Sequence, residues 1–210
     1  PYGLRPLQEG RQGIGQRVLI RNAGDKINIQ IATAPEDQEL FYGFASLALP
    51  INSHGTELII DASHADTEPG FDLEQFSVNG YATGMGVELR HPIMRSREEN
   101  LYGSFRFDMG KSSTKSVVDV TRSDRNRAFS LGFDYDRLDT LWNIAANSMS
   151  IKFKHGVDLF NASDAGDPQM TRDNGEPQFF KIEAEAQRLQ RVTDNISALF
   201  GIKAQWSADP

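Results

Sequence analysis

The stretch HPIMRSREENLYGSFRFDMG, from His91 to Gly110, carries the pattern that decides the fold of this 210-residue chain. From Leu101 to Met109 every second residue is apolar or glycine, and the residues between them are polar: Tyr102, Ser104, Arg106 and Asp108. Because side chains alternate between the two faces of a strand, one face of this strand is apolar and the other carries full charges. A soluble sheet turns such a face towards a core, whereas an outer-membrane barrel turns it towards lipid. The alternation in this stretch therefore predicts a strand that fits either setting.

Composition excludes several classes of protein. No apolar run approaches the roughly 20 residues of a membrane helix, and the mean hydropathy is negative. Barrels remain open, because half of every barrel strand is polar. The net charge is −7 and no run of basic residues stands out, which argues against a nucleic-acid partner. The chain has no cysteine, which rules out disulfides, thiol catalysis and cysteine-ligated metals.

A period of two recurs about ten times along the chain, with turn residues between the repeats. We predict strands at 13–21, 26–33, 41–49, 56–62, 81–90, 101–109, 127–136, 147–154, 179–188 and 196–206. Two longer polar connections, 111–126 and 156–177, are predicted to be exposed loops. The segment KIEAEAQRLQRV, at 181–192, also fits helical spacing, but the alternation around it favours a strand.

Three observations favour lipid as the surroundings of the apolar faces. Several runs last about nine or ten residues, close to the span of a tilted transmembrane strand. The middle of each apolar face lacks Arg and Lys, which would cost roughly 2–4 kcal/mol at the bilayer midplane. Aromatic residues lie near strand ends, as in interfacial girdles: Tyr81, Tyr135, Trp142, Phe180 and Trp206. The predicted fold is all-β, an antiparallel transmembrane β-barrel of which this chain supplies about ten strands. A soluble β-sandwich that binds a ligand such as carbohydrate, with its charges in bulk water, stays open.

The alternation assigns each strand two sets of side chains. The residues predicted to face lipid are Ile29, Ile60, Met85, Val87, Phe105, Phe107, Phe129, Leu131, Phe133, Ile151 and Phe200. The residues predicted to line a pore are Glu88, Arg90, Arg106, Asp108, Asp134, Lys152 and Lys154. Such a face suits a wet lumen lined by mixed charge. The same charges could equally serve as structural bridges between neighbouring strands.

No motif indicates catalysis. In the string DASHAD, from Asp61 to Asp66, His64 faces away from Asp61 and Ser63 on a strand, so a hydrolase triad is not expected. The four histidines lack metal-ligand spacing. The acidic connection at 158–177 could offer oxygens to calcium but lacks the EF-hand order, and calcium there is left open. GRQGIG, at 10–15, precedes a predicted strand rather than a helix, so it is not a nucleotide-binding turn. We expect no catalytic centre, no metal and no cofactor.

Quoted stretches along the whole chain resemble the barrel region of one transporter family. They are GRQGIGQRVLIRNAGDKINIQ (10–30), FYGFASLALPINSHGTELIIDAS (41–63), GVELRHPIMRSREENLYGSFRFD (86–108), KFKHGVDLFNAS (152–163), TRDNGEPQFFKIEAEAQRLQR (171–191) and FGIKAQWSADP (200–210). Their order is similar to that in two-partner-secretion outer-membrane transporters of the hemolysin secretion/activation type, within the BamA-like superfamily.

The resemblance implies a pore in the Gram-negative outer membrane that threads a large unfolded exoprotein to the cell surface without hydrolysing nucleotide. The implied partners are that exoprotein and outer-membrane lipid, and the implied state is a monomer. It further implies that 1–12 is a junction from upstream periplasmic POTRA domains. Residues 13–207 would be the N-terminal part of the barrel, and 208–210 would begin a connection to further strands. A passive porin, which would need no upstream partner domains, is the other transport alternative.

Overall fold

The computed structural model describes residues 16–19, 24–34, 40–68, 79–115, 122–163, 166–171 and 175–208, and these form ten strands and no helix. The strands are β1 (Gln16–Leu19), β2 (Lys26–Thr33), β3 (Leu40–Pro50), β4 (Glu57–Thr67), β5 (Asn79–Arg95), β6 (Glu99–Lys115), β7 (Arg122–Asp139), β8 (Ala145–Gly156), β9 (Phe180–Arg191) and β10 (Ser197–Ser207). The predicted junction 1–12, the outer parts of the predicted strand 13–21, and 209–210 lie outside the described residues.

The ten strands make one sheet in which each strand pairs with the next along the chain. Every pairing is antiparallel. The prediction of an all-β antiparallel fold is confirmed. Within the described residues β1 and β10 each pair on one side only, so the sheet is open.

The two ends of the sheet differ in the length of their connections. At one end, which we call the short-turn end, the connections are 20–25, 51–56, 96–98, 140–144 and 192–196. At the other, the long-loop end, they are 34–39, 68–78, 116–121 and 157–179. The turn after β3 shows how a short connection closes: Asn52 Oδ1 accepts hydrogen bonds from the backbone N–H groups of His54 and Thr56, both at 3.0 Å. Gly55 supplies the positive φ of 88° that this turn requires.

Two predictions about single segments meet different outcomes. The segment with competing helical spacing is strand β9, as predicted. The predicted loop 111–126 is wrong for most of its length, because β6 continues to Lys115 and β7 begins at Arg122. Residues 111–115 and 122–126 are polar on both faces, so the alternation disappears although the backbone ladder continues. Ser113 Oγ donates to Ser123 Oγ across this polar extension at 3.1 Å.

The sheet is a single layer without a conventional core. Among the described residues the buried hydrophobic side chains are Ala128, Ala145, Ala162 and Met170, and no large side chain is fully buried. Large apolar side chains are instead exposed along the strands, with Phe105 at 52% and Met85 at 56%. No second layer covers the described sheet, which does not fit a β-sandwich. The described residues contain no helix with the length and apolarity to cross a membrane.

Candidate functional site

The register sorts the residues singled out from the sequence into two faces. Phe107 lies opposite Val87 on one side and Phe129 on the other, and Phe105 lies opposite Leu89 and Leu131. Because directly opposed residues share a face, the pairings carry this assignment across the sheet. All eleven residues predicted to face lipid lie on one face, which we call the apolar face. All seven predicted pore-lining residues lie on the opposite, polar face.

The apolar face is continuous across the middle strands. The rings of Phe107 and Phe129 have centroids 4.7 Å apart, and those of Phe105 and Phe129 are 5.6 Å apart. These side chains stand side by side rather than interleaving with another layer. An exposed apolar surface of this extent marks a site of contact with a membrane or another protein.

The centre of the polar face is a charge cluster around Arg106. Its guanidinium donates two hydrogen bonds to the carboxylate of Asp61, at 2.7 and 2.9 Å, and a third to Asp108 at 2.7 Å. Glu88 lies 3.6 Å away. The fork geometry makes the bond to Asp61 bidentate, which is the strongest arrangement for this pair. The cluster joins β4, β5 and β6 and keeps three carboxylates beside one cation.

Gly86 makes the reach from Arg106 to Asp61 possible. In the register Gly86 lies between Asp61 of β4 and Asp108 of β6, so the side chain of Arg106 must cross the backbone of β5. A Cβ atom at Gly86 would overlap the guanidinium and lie 2.8 Å from Asp61 Oδ2. The missing side chain is therefore a requirement of the cluster. Sequence reasoning found Arg106, Asp108 and Glu88 but missed Asp61 and Gly86, because only the strand pairing brings them together.

The remaining predicted pore-lining residues spread across the polar face. Arg90 lies 3.9 Å from Asp134 and stacks over the ring of Tyr102, 4.3 Å from its centroid. Lys152 and Lys154 of β8 form no ion pair with any described residue. In the register they lie opposite Glu183 and Lys181 of β9. The polar face thus combines ion-paired charges with two cations that have no ion-pair partner among the described residues.

An apolar row crosses the polar face near the short-turn end, and the sequence analysis missed it. Leu138, Ala146, Leu189 and Leu199 lie directly opposite one another on four successive strands. Leu189 is 48% exposed. The residues lie in different strands, so no local sequence pattern predicts that they align.

A polar network occupies the apolar face near the same end. Arg188 donates to both carboxylate oxygens of Asp139, at 2.6 and 3.1 Å. It also donates to Asn147 Oδ1 at 2.6 Å and to Gln190 Oε1 at 2.7 Å. The network ends the apolar stripe of β7, β8 and β9 with polar groups that are hydrogen-bonded to one another.

The described residues assemble no metal or triad geometry. His64 and Asp66 lie 3.6 Å apart, but Ser63 points to the opposite face, as the alternation in DASHAD predicts. No group of three His, Asp or Glu residues within the described ranges could hold a metal ion. In the acidic connection 158–177, Asp164 and Asp173 lie outside the described residues, and calcium there stays an open question.

No family model and no curated protein matches this sequence. Among solved structures, CdiB from Escherichia coli matches with a TM-score of 0.75 and 19% sequence identity. CdiB is a two-partner-secretion transporter with a β-barrel fold. The chain has the fold of part of such a barrel. The match covers 89% of this chain and 35% of CdiB, so this chain spans about a third of that protein.

Proposed function

We propose that this chain is part of an outer-membrane pore that carries a large exoprotein from the periplasm to the surface of a Gram-negative cell by two-partner secretion. The observation that carries the proposal is the division of the sheet into one charged face and one exposed phenylalanine-bearing face. The fold shared with CdiB supports it. The exoprotein as partner, a hemolysin or adhesin type of cargo and a monomeric state are parts of the proposal.

The width of the apolar face fits a membrane. On β6 the apolar stripe runs from Leu101 to Met109, and Glu99 and Lys111 bound it. Eight residue steps at about 3.4 Å make roughly 27 Å along the strand. A tilt of about 40° reduces this to roughly 21 Å along the membrane normal, near the ~25 Å apolar band of outer-membrane barrels. On β7, Arg127 and Arg137 bound the matching stripe. The band is therefore closed by polar side chains at both ends.

The connection lengths give the sheet an orientation. Outer-membrane barrels have short periplasmic turns and longer extracellular loops. On this basis the short-turn end faces the periplasm and the long-loop end faces the outside of the cell. The apolar row from Leu138 to Leu199 then lies at the periplasmic mouth of the polar face. β10, which starts after the 192–196 turn, runs outward.

The polar face suits transit of an extended chain. Paired groups such as Arg106 and Asp61 hold the wall together, while Lys152 and Lys154 can make weak contacts with passing segments. Weak and multiple contacts favour conduction because tight binding would stall it.

Secretion of the exoprotein tests the proposal. Deleting the gene that encodes this chain should remove one large protein from the cell surface or the culture medium, and the full-length gene should restore it. Mass spectrometry of the medium and of proteins released from intact cells by surface proteolysis, with a lysis marker as control, measures the effect. If every secreted protein persists while uptake of small solutes falls, the chain belongs to a passive porin and the proposal is wrong.

A further inference from the structure

Four cations gather at the long-loop end of the apolar face. They are Lys111 and Lys115 of β6 and Arg125 and Arg127 of β7, just beyond the phenylalanine stripe. They belong to two adjacent strands, and the register brings them to one surface. Lys111 and Arg125 are directly opposite each other, and Met109 is opposite Arg127.

The opposed pair is unfavourable by itself. Arg125 turns its backbone away from β6: its N–H donates to Ser163 Oγ at 2.9 Å, and its carbonyl accepts from the Ser163 N–H at 3.0 Å. Lys111 and Arg125 therefore form a non-hydrogen-bonded pair, the arrangement in which side chains of opposed residues come closest. Like charges in direct opposition destabilise a sheet. A nearby anion would remove this repulsion.

No described carboxylate provides that anion. None of the four cations forms an ion pair with a described residue. Arg127 donates to the carbonyls of Gly110 and Asn126 at 2.9 Å and of Phe160 at 3.3 Å. These acceptors are neutral, and its buried Nε has no partner. The positive charge of the cluster is uncompensated within the described chain.

Aromatic rings flank the cations. The ring of Phe160 is 70% exposed and lies 6.0 Å from that of Phe107, at the border of the stripe. Lys111 Nζ lies 5.5 Å from the centre of the Tyr81 ring. Cations and aromatic side chains side by side at the edge of an apolar band are the composition of a membrane interface.

We infer that Lys111, Arg125 and Arg127 form a binding site for the phosphate group of an anionic membrane lipid, with the acyl chains lying along Phe107 and Phe160. The site rests on the proposed membrane setting. Charge complementarity selects the ligand, because the cluster lies at the depth of lipid headgroups and offers several donors to phosphate oxygens.

Lipid retention by the full-length protein tests this site. The protein is inserted into phosphatidylcholine vesicles that contain a minor fraction of phosphatidylglycerol, extracted into mild detergent, and examined by native mass spectrometry. The wild type should retain phosphatidylglycerol in preference to phosphatidylcholine. The Lys111→Gln/Arg125→Gln variant should lose retention by about 25-fold, from about fivefold for each cation near an anionic surface. High salt should weaken retention, and inorganic phosphate at equal concentration should not displace the lipid.

The matched control removes two lysines from the other face. Lys152→Gln/Lys154→Gln has the same charge loss and should retain the lipid as the wild type does. Equal retention by both double variants, equal loss in both, or no preference in the wild type would overturn the site. Failure of the wild type to insert into vesicles would instead overturn the proposed membrane setting and the site with it.

Discussion

The absence of a side chain at Gly86 allows the charge cluster around Arg106 to form. Arg106 reaches across β5 to Asp61 only because no Cβ occupies its path. Gly86→Ala should displace the guanidinium and destabilise the folded protein by roughly 1.5–3 kcal/mol, the range for a hydrogen bond to a charged group. Urea unfolding of the full-length protein in detergent measures this. Gly80→Ala, on the same strand and face, is the control, because a Cβ there meets nothing within 4 Å. Equal stability of the two variants would contradict the role of Gly86.

The assignment of the apolar face to lipid can be tested by adding the same charge to each face of the sheet in turn. Phe107→Arg places a cation in the middle of the apolar stripe, where it should cost roughly 2–4 kcal/mol and reduce assembly into the outer membrane. Ser150→Arg adds the cation on the polar face, opposite Asp134 and Glu185, and should assemble normally. Heat-modifiable migration of outer-membrane fractions reports the assembled form. Similar losses from both changes would show that the faces are wrongly assigned.

At the scale of elements, the described residues of the connection after β8 pack on the first residues of β7, which extend beyond the end of β8. We call this part of the connection the cover. Ser123 N–H donates to the Gln169 carbonyl at 2.6 Å, and Asp124 accepts from the Thr171 N–H and hydroxyl at 3.0 and 2.6 Å. Ala162, Ser163 and Met170 are buried there, although few residues of the described strands are buried. The connection thereby satisfies backbone groups of β7 that lie beyond the end of β8.

The cover should loosen when the carboxylate of Asp124, on β7, is removed. Asp124→Ala should speed amide hydrogen exchange at 166–171 by about five- to tenfold, since exposure reduces the contribution of hydrogen bonds to a charged group to on the order of 1–1.4 kcal/mol. Asp194→Ala, in an exposed turn at the opposite end, should leave that segment unchanged. Unaltered exchange at 166–171 in Asp124→Ala would mean that the cover does not depend on this contact.

At the scale of the whole molecule, the asymmetry of the connections predicts which end faces outward. The chain has no cysteine, so single cysteines report accessibility without interference from residues 1–210. Asp158→Cys, at the long-loop end, should react with a membrane-impermeant maleimide on intact cells. Asp194→Cys, at the short-turn end, should react only after the outer membrane is permeabilised. The parent protein is the labelling control, and the reverse pattern would invert the orientation.

The sequence by itself determined the strands and their faces. From Leu101 to Met109 the face of each side chain follows from its position along one strand, because the alternation is a local property of an extended backbone. The same reasoning failed at 111–115 and 122–126, where both faces are polar and no contrast marks the strands. Local pattern can identify an element only where its two sides meet different surroundings.

Only the tertiary structure decided which residues meet across strands. The bond of Arg106 to Asp61, the row from Leu138 to Leu199 and the opposition of Lys111 and Arg125 all depend on register. Register is set by pairing between distant segments, and a shift of one residue would exchange the two faces of a strand. The local sequence therefore determines which residues each face of a strand carries. The pairing of strands determines which of those residues come together to form a site.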